Sequence, residues 1–323
     1  MKVLVLGGTG FIGRHAAAAL RARGHAVLIG TRSPKRALAK LPPALRDCDL
    51  RETHLESLTT CYVWKPLLAD VDAVVNAVGI LRERGGETYD RVHHMAPRAL
   101  AVACERMEVR LVHMSALGLR PEARSSCLRS KWLGERRIAE SFADYSIVRP
   151  SLLDGDGGFV AAWLRRAAQW PVHFYPADAR GQVAALDVRD LGDAVAALCE
   201  ARRQEGLREV ELGGSARRTM VEHLGALRAV QGGKFSDHPA LRVAVPAPLA
   251  WLAGLACDFL HFTPVSSANL ELMRRDNLPR ENILQALIGR APAPVGRTPA
   301  PRPAYAFTAM PTGHETPVPP SPQ

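Results

Sequence analysis

Residues 2–13 read KVLVLGGTGFIG, and this stretch restricts what the whole amino-terminal half can fold into. Val3, Leu4, Val5 and Leu6 form a short apolar run without alternation, the pattern of a strand buried on both faces of a parallel sheet. Gly7, Gly10 and Gly13 then punctuate the entry to a helix that runs through Phe11, Ile12 and HAAAAL to Arg23. Each glycine meets a separate physical need. Gly7 permits a tight turn, Gly10 lets backbone approach a diphosphate, and Gly13 lets helix lie against strand. The turn, with Thr9 inside it, leaves bare amides at the helix start, where the helix dipole favours negative charge. A second apolar strand at 25–30 follows, so the context on both sides of the glycines suits a bound diphosphate.

The strand–helix rhythm continues. Strands are expected at 44–50, 73–78, 110–114 and 145–148, alternating with helices at 34–40, 55–68, 89–106 and 125–142. Helix 89–106 carries Val92, Met95, Leu100, Val102 and Ala103 at helical spacing. This repetition predicts an α/β fold with a doubly wound parallel sheet. After Pro150, short strands (172–175, 183–186, 209–212) mix with helices (159–169, 191–201, 220–230), and 242–289 reads as mostly helical. Three segments follow: a dinucleotide-binding domain over 1–150, the remaining sheet elements and a smaller α+β substrate-side lobe over 151–290, and a tail over 291–323. Ten prolines in the 33 residues of that tail predict disorder, partly polyproline II.

Composition narrows the function. The excess of Lys and Arg over Asp and Glu, 42 against 32, gives a net charge of +10. Paired arginines are scattered along the chain without interleaved aromatics, a poor nucleic-acid signature, so the charge reads as a solvated surface. Six cysteines without a CxxC pair argue against zinc and against a disulfide framework, and point to reduced thiols in the cytoplasm. The chain opens directly into a strand, so no signal peptide is expected. The apolar stretch 248–262 is too short to span a bilayer and carries Asp258, and a core helix is expected there rather than an interfacial one. Peripheral membrane attachment stays open as an alternative to a purely cytoplasmic location. His93 and His94 are adjacent and so diverge around a helix, which makes them a poor metal pair; no metal site is expected. Asp187 and Asp190 precede a helix and read as N-capping residues, and the Asp154–Gly158 stretch reads as a turn that could lie over the nicotinamide.

GGTGFIG at 7–13, CDL at 48–50, NAVGIL at 76–81, HMSALG at 113–118, SKWLGE at 130–135 and VRPS at 148–151 occur in one order. With this ordered set the chain resembles the extended or atypical short-chain dehydrogenase/reductases, over about its first 150 residues. Within that superfamily it is similar to the NAD(P)H-binding accessory subunit of mitochondrial complex I and its bacterial relatives. The resemblance implies a nicotinamide dinucleotide, with Asp49 and Leu50 bordering the adenine, Ala77, Val78 and Gly79 lining its centre, and Pro150, Ser151 and Leu152 at the nicotinamide end. It also implies a quinone or other small-molecule substrate, and a protein-complex partner. An NAD site usually places a carboxylate at the end of the second strand. Here that position reads Gly30, Thr31, Arg32, Ser33. Arg32 can pair with a 2′-phosphate, with Lys35, Arg36 and Arg14 adding charge, so NADP(H) is expected and NAD(H) is the alternative.

In active members a Tyr and a Lys sit four apart on one helix face, and a Ser from the preceding strand end orients the substrate oxygen. Ser115 and Lys131 match the Ser and Lys positions, but Cys127 stands where the Tyr belongs. A thiol beside an ammonium can become a reactive thiolate, and it can equally pack as a small hydrophobe. Three functions follow. In the leading one the chain binds NADP(H) as a structural or regulatory group without Tyr-dependent chemistry. In the second it is an oxidoreductase or epimerase using Lys131 and Ser115, with Cys127 or water as proton source. In the third it is an RNA- or membrane-associated interaction protein that uses its basic surface.

Overall fold

The computed structural model describes residues 1–201, 207–232, 238–260, 263 and 265–296. Among these residues, thirteen strands and eleven α-helices follow one another as β1 (Lys2–Leu6), α1 (Phe11–Ala22), β2 (Ala26–Thr31), α2 (Pro34–Lys40), β3 (Asp49–Glu52), α3 (Lys65–Leu68), β4 (Ala73–Asn76), α4 (Ala96–Met107), β5 (Arg110–Met114), α5 (Ser126–Ala139), β6 (Tyr145–Pro150), β7 (Leu153–Asp154), α6 (Phe159–Ala168), β8 (Val172–Pro176), β9 (Gln182–Val183), β10 (Leu186–Asp187), α7 (Val188–Glu200), β11 (Glu209–Leu212), β12 (Arg218–Thr219), α8 (Met220–Gln231), β13 (Leu241–Val245), α9 (Ala247–Leu260), α10 (Ser267–Leu272) and α11 (Leu284–Ile288). Seven of the strands form one parallel sheet in the order β11-β6-β5-β4-β1-β2-β3. The strand order switches at β1, between β2 and β4, which is where sheets of this kind form a ligand crevice at the carboxyl ends of their strands.

The apolar runs explain the order. Val3 and Val5 face a core shared with α1, α7 and α11, while Leu4 and Leu6 face a second core built from α3, α4, Trp64 and Ile147. Both faces of β1 are therefore covered, and the doubly wound fold expected from the sequence is present. The second half completes this sheet through β11 and covers it with α7. It also forms a smaller lobe in which α6 packs on α8 and β8 pairs with β13.

Several local expectations are corrected. The strand expected over 44–50 begins only at Asp49, after a 3₁₀ turn at Pro43–Leu45. The helix expected over 55–68 is two 3₁₀ turns, Leu55–Ser57 and Cys61–Trp64, followed by the single turn of α3. The Trp64 indole N–H donates to Leu58 O at 3.0 Å and stabilises that irregular path. The stretch 183–186 divides between two short pairings, β9 with β12 and β10 with β7. The mostly helical region opens on a strand, β13. The start of the proline-rich segment is docked: Ala293 N donates to Asp190 at 2.6 Å and Gly296 N to Asp154 at 3.0 Å. The tail expected to be disordered lies, from 297 onward, outside the described residues. Finally, α9 is no core helix: Leu249, Leu252, Leu255 and Phe259 are exposed.

Candidate cofactor crevice and catalytic residues

Gly7 adopts φ +70°, a left-handed turn that side chains rarely tolerate, and packs against Ala77 and Val78. A Cβ on Gly13 would stand 2.3 Å from the Gly7 carbonyl oxygen, so helix and turn touch backbone to backbone. Gly10 is the N-cap of α1 and no side chain caps that end, which leaves the first-turn amides at Phe11 and Ile12 facing the crevice. Thr9 is half-buried within the turn. The cradle the three glycines form would be filled by any Cβ, as a closely approaching diphosphate requires.

Around this centre the expected residues are distributed unevenly. Ala77 and Val78 border Gly7 directly, and Gly79 continues the turn beyond β4. In β3, Asp49 pairs with Leu28, Leu50 with Ile29 and Arg51 with Gly30, and the Thr53 hydroxyl lies 3.2 Å from where a Cβ on Gly30 would stand. Pro150 and Ser151 are buried and Leu152 is half-buried. The Ser151 hydroxyl donates to Asn277 O at 2.8 Å and accepts from Ala184 N at 3.0 Å, so it ties the lobe to the sheet. The Asp154–Gly158 stretch lies on the first turn of α1 instead of lying free: Arg14 Nη2 donates to Asp156 O at 2.6 Å, and Gly158 stacks on the Phe11 ring. Arg14 is thereby engaged by the loop. Asp187 caps α7, accepting from Arg189 N at 2.7 Å, as expected.

Arg32 sits just past β2, its side chain 62% exposed, and forms an ion pair with Glu87. Glu87 belongs to the segment after β4, and β2 and β4 flank β1, so this pair links the segments that follow the two strands beside β1. No sequence pattern joins two residues 55 positions apart, and Glu87 is a residue the sequence reading missed.

Ser115, Lys131 and Cys127 meet the β4 turn in different ways. Ser115 is buried just past the end of β5, and its Oγ has no hydrogen-bond partner among the described residues. The Lys131 ammonium lies over Gly79, 3.4 Å from where a Cβ would stand, and makes no hydrogen bond or ion pair among the described residues. Cys127, one turn earlier on α5, is buried in an apolar cluster with Tyr89, Leu119, Ala123 and Leu128. Burial pushes the Cys127 thiol up, and the nearby Lys131 charge only partly offsets this. Of the two readings of Cys127 from the sequence, its low-dielectric surrounding favours the packed thiol over the charged sulfur. Tyr89 does not substitute for the missing phenol on α5. Its hydroxyl donates to Leu81 O at 2.8 Å, and burial, followed by the Cys127 and Asp258 charges, raises its pKa.

Two buried histidines hold this region. The helix ahead of α4 widens to π geometry over Asp90–Met95, placing His93 against α5. The Ile80 amide donates to His93 Nε2 at 3.0 Å, so His93 carries its proton on Nδ1 and shares it with Ser130 Oγ at 3.1 Å. Burial, with the Lys131 charge, lowers the His93 pKa well below its usual value and keeps the ring neutral. His113 on β5 is pulled down to about 3 by burial, with Lys131 second, and its Nδ1 accepts from Asn76 Nδ2 at 3.1 Å. The Asn76 Oδ1 in turn accepts from Val78 N at 3.3 Å. These bonds fix the turn on which Gly79 and Lys131 meet. His94 instead pairs with Asp90, and among the described residues no group of His, Cys, Asp or Glu could hold a metal.

A parallel sheet reversing at β1, with a bare glycine turn in the crevice, defines a dinucleotide-binding Rossmann protein. The chain belongs to the NAD dependent epimerase/dehydratase family, whose sequence pattern matches residues 3–213. It is 28% identical over 259 residues to the ceramide reductase of Caulobacter vibrioides, covering 79% of this chain and 77% of that protein. It is also 28% identical over 166 residues to the mitochondrial NADH dehydrogenase [ubiquinone] 1 alpha subcomplex subunit 9 of Rattus norvegicus, 47% of this chain but only 40% of that subunit. Among solved structures, the NADPH-dependent quinone oxidoreductase of Escherichia coli, complexed with NADPH, superposes with a TM-score of 0.67 at 17% identity, covering 92% of this chain and 97% of that one. That likeness shows the shared fold.

Proposed function

We propose that the chain is an NADP(H)-dependent carbonyl reductase that works without a phenol. One observation carries this reading: among the described residues, Ser115 Oγ is buried without a hydrogen-bond partner, and the Lys131 ammonium over Gly79 makes no hydrogen bond or ion pair. An unsatisfied buried hydroxyl costs about 1–3 kcal/mol, and a substrate oxygen would remove that cost. The residues fit a nicotinamide dinucleotide, since the glycine cradle accepts a diphosphate and the bare α1 amides complement its charge. That cofactor, when bound, supplies the hydride. Ser115 Oγ–H donates to the carbonyl oxygen and orients it. Lys131 holds the nicotinamide ribose, and its ammonium delivers the proton that the oxygen needs on reduction, through one water, and is reprotonated from solvent. His93 and Asn76 position the turn and move no proton. We assign cofactor holding to residues 1–150 and substrate closure to the lobe of 151–290.

Reduction is supported as the reaction class by the name of the Caulobacter relative, and Arg32 supports a 2′-phosphorylated cofactor because no carboxylate ends β2. A second reading, a tightly held structural or regulatory cofactor, is favoured by the inert, buried Cys127 where chemistry would place a phenol. Mass spectrometry of the nucleotide released from the purified protein, followed by NADPH consumption with a panel of ketones and quinones, separates the two. Release of NADP(H) with ketone turnover that Ser115→Ala abolishes supports the reductase. Bound nucleotide that never turns over supports the structural role, and protein that neither releases nor binds nucleotide refutes both.

A further inference from the structure

Residues 290–296 leave α11 as irregular backbone and cross from α7 to the smaller lobe. Arg290 Nη2 donates to Asp190 Oδ1 at 2.5 Å and to Asp193 Oδ2 at 2.8 Å, both on α7. Ala293 N donates to the other Asp190 oxygen at 2.6 Å, and Gly296 N to Asp154 Oδ2 at 3.0 Å. Val295 packs on Leu164, Ala168, Leu224 and Leu227, the cluster that α6 and α8 share. Between these anchors the segment lies at the surface. Ala291 and Pro294 are exposed, and none of its backbone groups bonds to another backbone group among the described residues.

The acids that receive it are interior. Asp190, Asp193 and Asp154 are 0%, 3% and 5% accessible. A carboxylate taken out of water needs a partner, and Arg290 and the amides of Ala293 and Gly296 are among the partners these three have. Charge at a few points, not a continuous interface, draws the segment onto the fold. Structure held in this way opens locally at lower cost than a core element.

Asp154 connects the segment to the glycine turn. It ends β7 and begins the stretch DGDGG. Arg165 of α6 pairs with Asp154 at 3.1 Å and with Asp156 at 3.0 Å. The glycines let the stretch lie against α1. A Cβ on Gly157 would stand 1.6 Å from Arg14 Nη2, and one on Gly158 would stand 2.8 Å from the Phe11 ring. On the other side, a Cβ on Gly155 would stand 2.4 Å from Val188 of α7. Phe11 is the first residue of α1, whose amides accept the diphosphate in the dinucleotide reading. Contacts therefore run without a gap from Arg290 through Asp154 to Phe11.

We propose that residues 290–296 are a strap that holds the 154–158 stretch down on the first turn of α1, and that its docking sets how fast a nicotinamide dinucleotide enters and leaves. With the strap docked, the stretch closes the approach to the first-turn amides. With it lifted, Asp154 loses the Gly296 amide and the stretch is free to part from α1. Opening of such a closing segment can limit ligand release. The strap rests on the dinucleotide site and is independent of the reductase reading.

The test uses the full chain and NADPH. Gly296→Pro removes the amide that Asp154 accepts from, and proline does not adopt the φ of +89° found there, so the strap's end is freed while Arg290 still covers Asp190. Arg290→Gln loosens the other end; should it fail to fold, Gly296→Pro carries the test alone. Pro294→Ala, at an exposed position that makes none of these bonds, is the control. Stopped-flow displacement of bound NADPH shows release about tenfold faster in Gly296→Pro, with association faster as well, so affinity changes less than the release rate. Hydrogen exchange over 155–158 quickens in parallel, while β1 and β4 keep their native protection. Unchanged release in Gly296→Pro overturns the inference. So does faster release with unchanged association and unchanged exchange over 155–158, which would reduce the segment to general support of the fold. A native chain that binds no NADPH sinks the gating together with the dinucleotide reading. Gated binding without turnover of any ketone sinks the reductase reading and leaves the strap standing.

Discussion

Replacing Gly13 by alanine isolates the contact on which the crevice depends. The new Cβ would stand 2.3 Å from Gly7 O, 2.8 Å from Gly7 C and 2.9 Å from Gly8 Cα. Real Cβ atoms are essentially never found nearer than 3.0 Å, so α1 and the turn must part by at least 0.7 Å. All three neighbours are backbone and cannot swing aside. Gly7 O also accepts from Gly10 N at 2.8 Å, so moving it disturbs the same turn that aims the helix amides. Overpacking of this kind costs about 1–3 kcal/mol of stability. The amides would be misdirected as well, and a tenfold loss of cofactor affinity corresponds to about 1.4 kcal/mol. Gly24→Ala is the control: its φ of +81° makes the change straining, yet nothing lies within 4 Å and the site is at the far end of α1. Urea unfolding should show both variants destabilised, and titration with NADPH should show at least tenfold weaker binding for Gly13→Ala alone. If Gly13→Ala binds NADPH as tightly as the native chain, the diphosphate does not lie on this turn.

Lys131→Met should remove ketone turnover and weaken NADPH binding, because Lys131 is the only ammonium placed over Gly79 among the described residues; retained turnover would exclude it as the proton donor. Glu87→Gln should tighten NADPH up to about fivefold and leave NADH unchanged, since an exposed ion pair worth at most about 1 kcal/mol no longer competes for Arg32; equal effects on both cofactors would show that Arg32 does not read the 2′-phosphate. Acid should unfold the protein early. Burial lowers His113 to about 3 and His223 to about 4, whereas in the unfolded chain each titrates near 6.5. The unfolded state therefore binds more protons below pH 6.5, so the stability contribution is complete above that value and is lost as pH falls toward 4, by at most about 1.4 kcal/mol per unit per histidine. Urea midpoints at pH 7 and pH 5 measure this, and His223→Gln should flatten the dependence; identical midpoints would refute it.

What could be read from the chain follows burial and locality. Val3–Leu6, 73–76 and 110–114 are continuous apolar runs because both faces of the sheet are covered, and periodicity reports that directly. The glycine turn was legible because its constraints are steric and local. The irregular 55–68 stretch was not: its apolar spacing imitates a helix, whereas Pro66 and the Trp64 bond to Leu58 O favour separate turns. The Arg32–Glu87 bridge, the Ile80–His93–Ser130 chain and the Arg82 bond to Cys257 O all join residues brought together by topology, and no local signal precedes them. The outward face of α9 was misjudged for a related reason: high hydropathy marks a helix for burial but does not say whether protein does the burying.

The missing phenol bears on how a substrate oxygen would be protonated. In a site with the tyrosine, the proton donor is a side chain and the pocket can close fully around the substrate. Here Cys127 is packed with Tyr89 and burial pushes its thiol up, so its sulfur does not readily relay a proton. In the proposed reductase the proton then depends on water reaching Lys131, which is half-buried and makes no hydrogen bond or ion pair among the described residues. A site that must admit water loses the discrimination that a dry pocket provides.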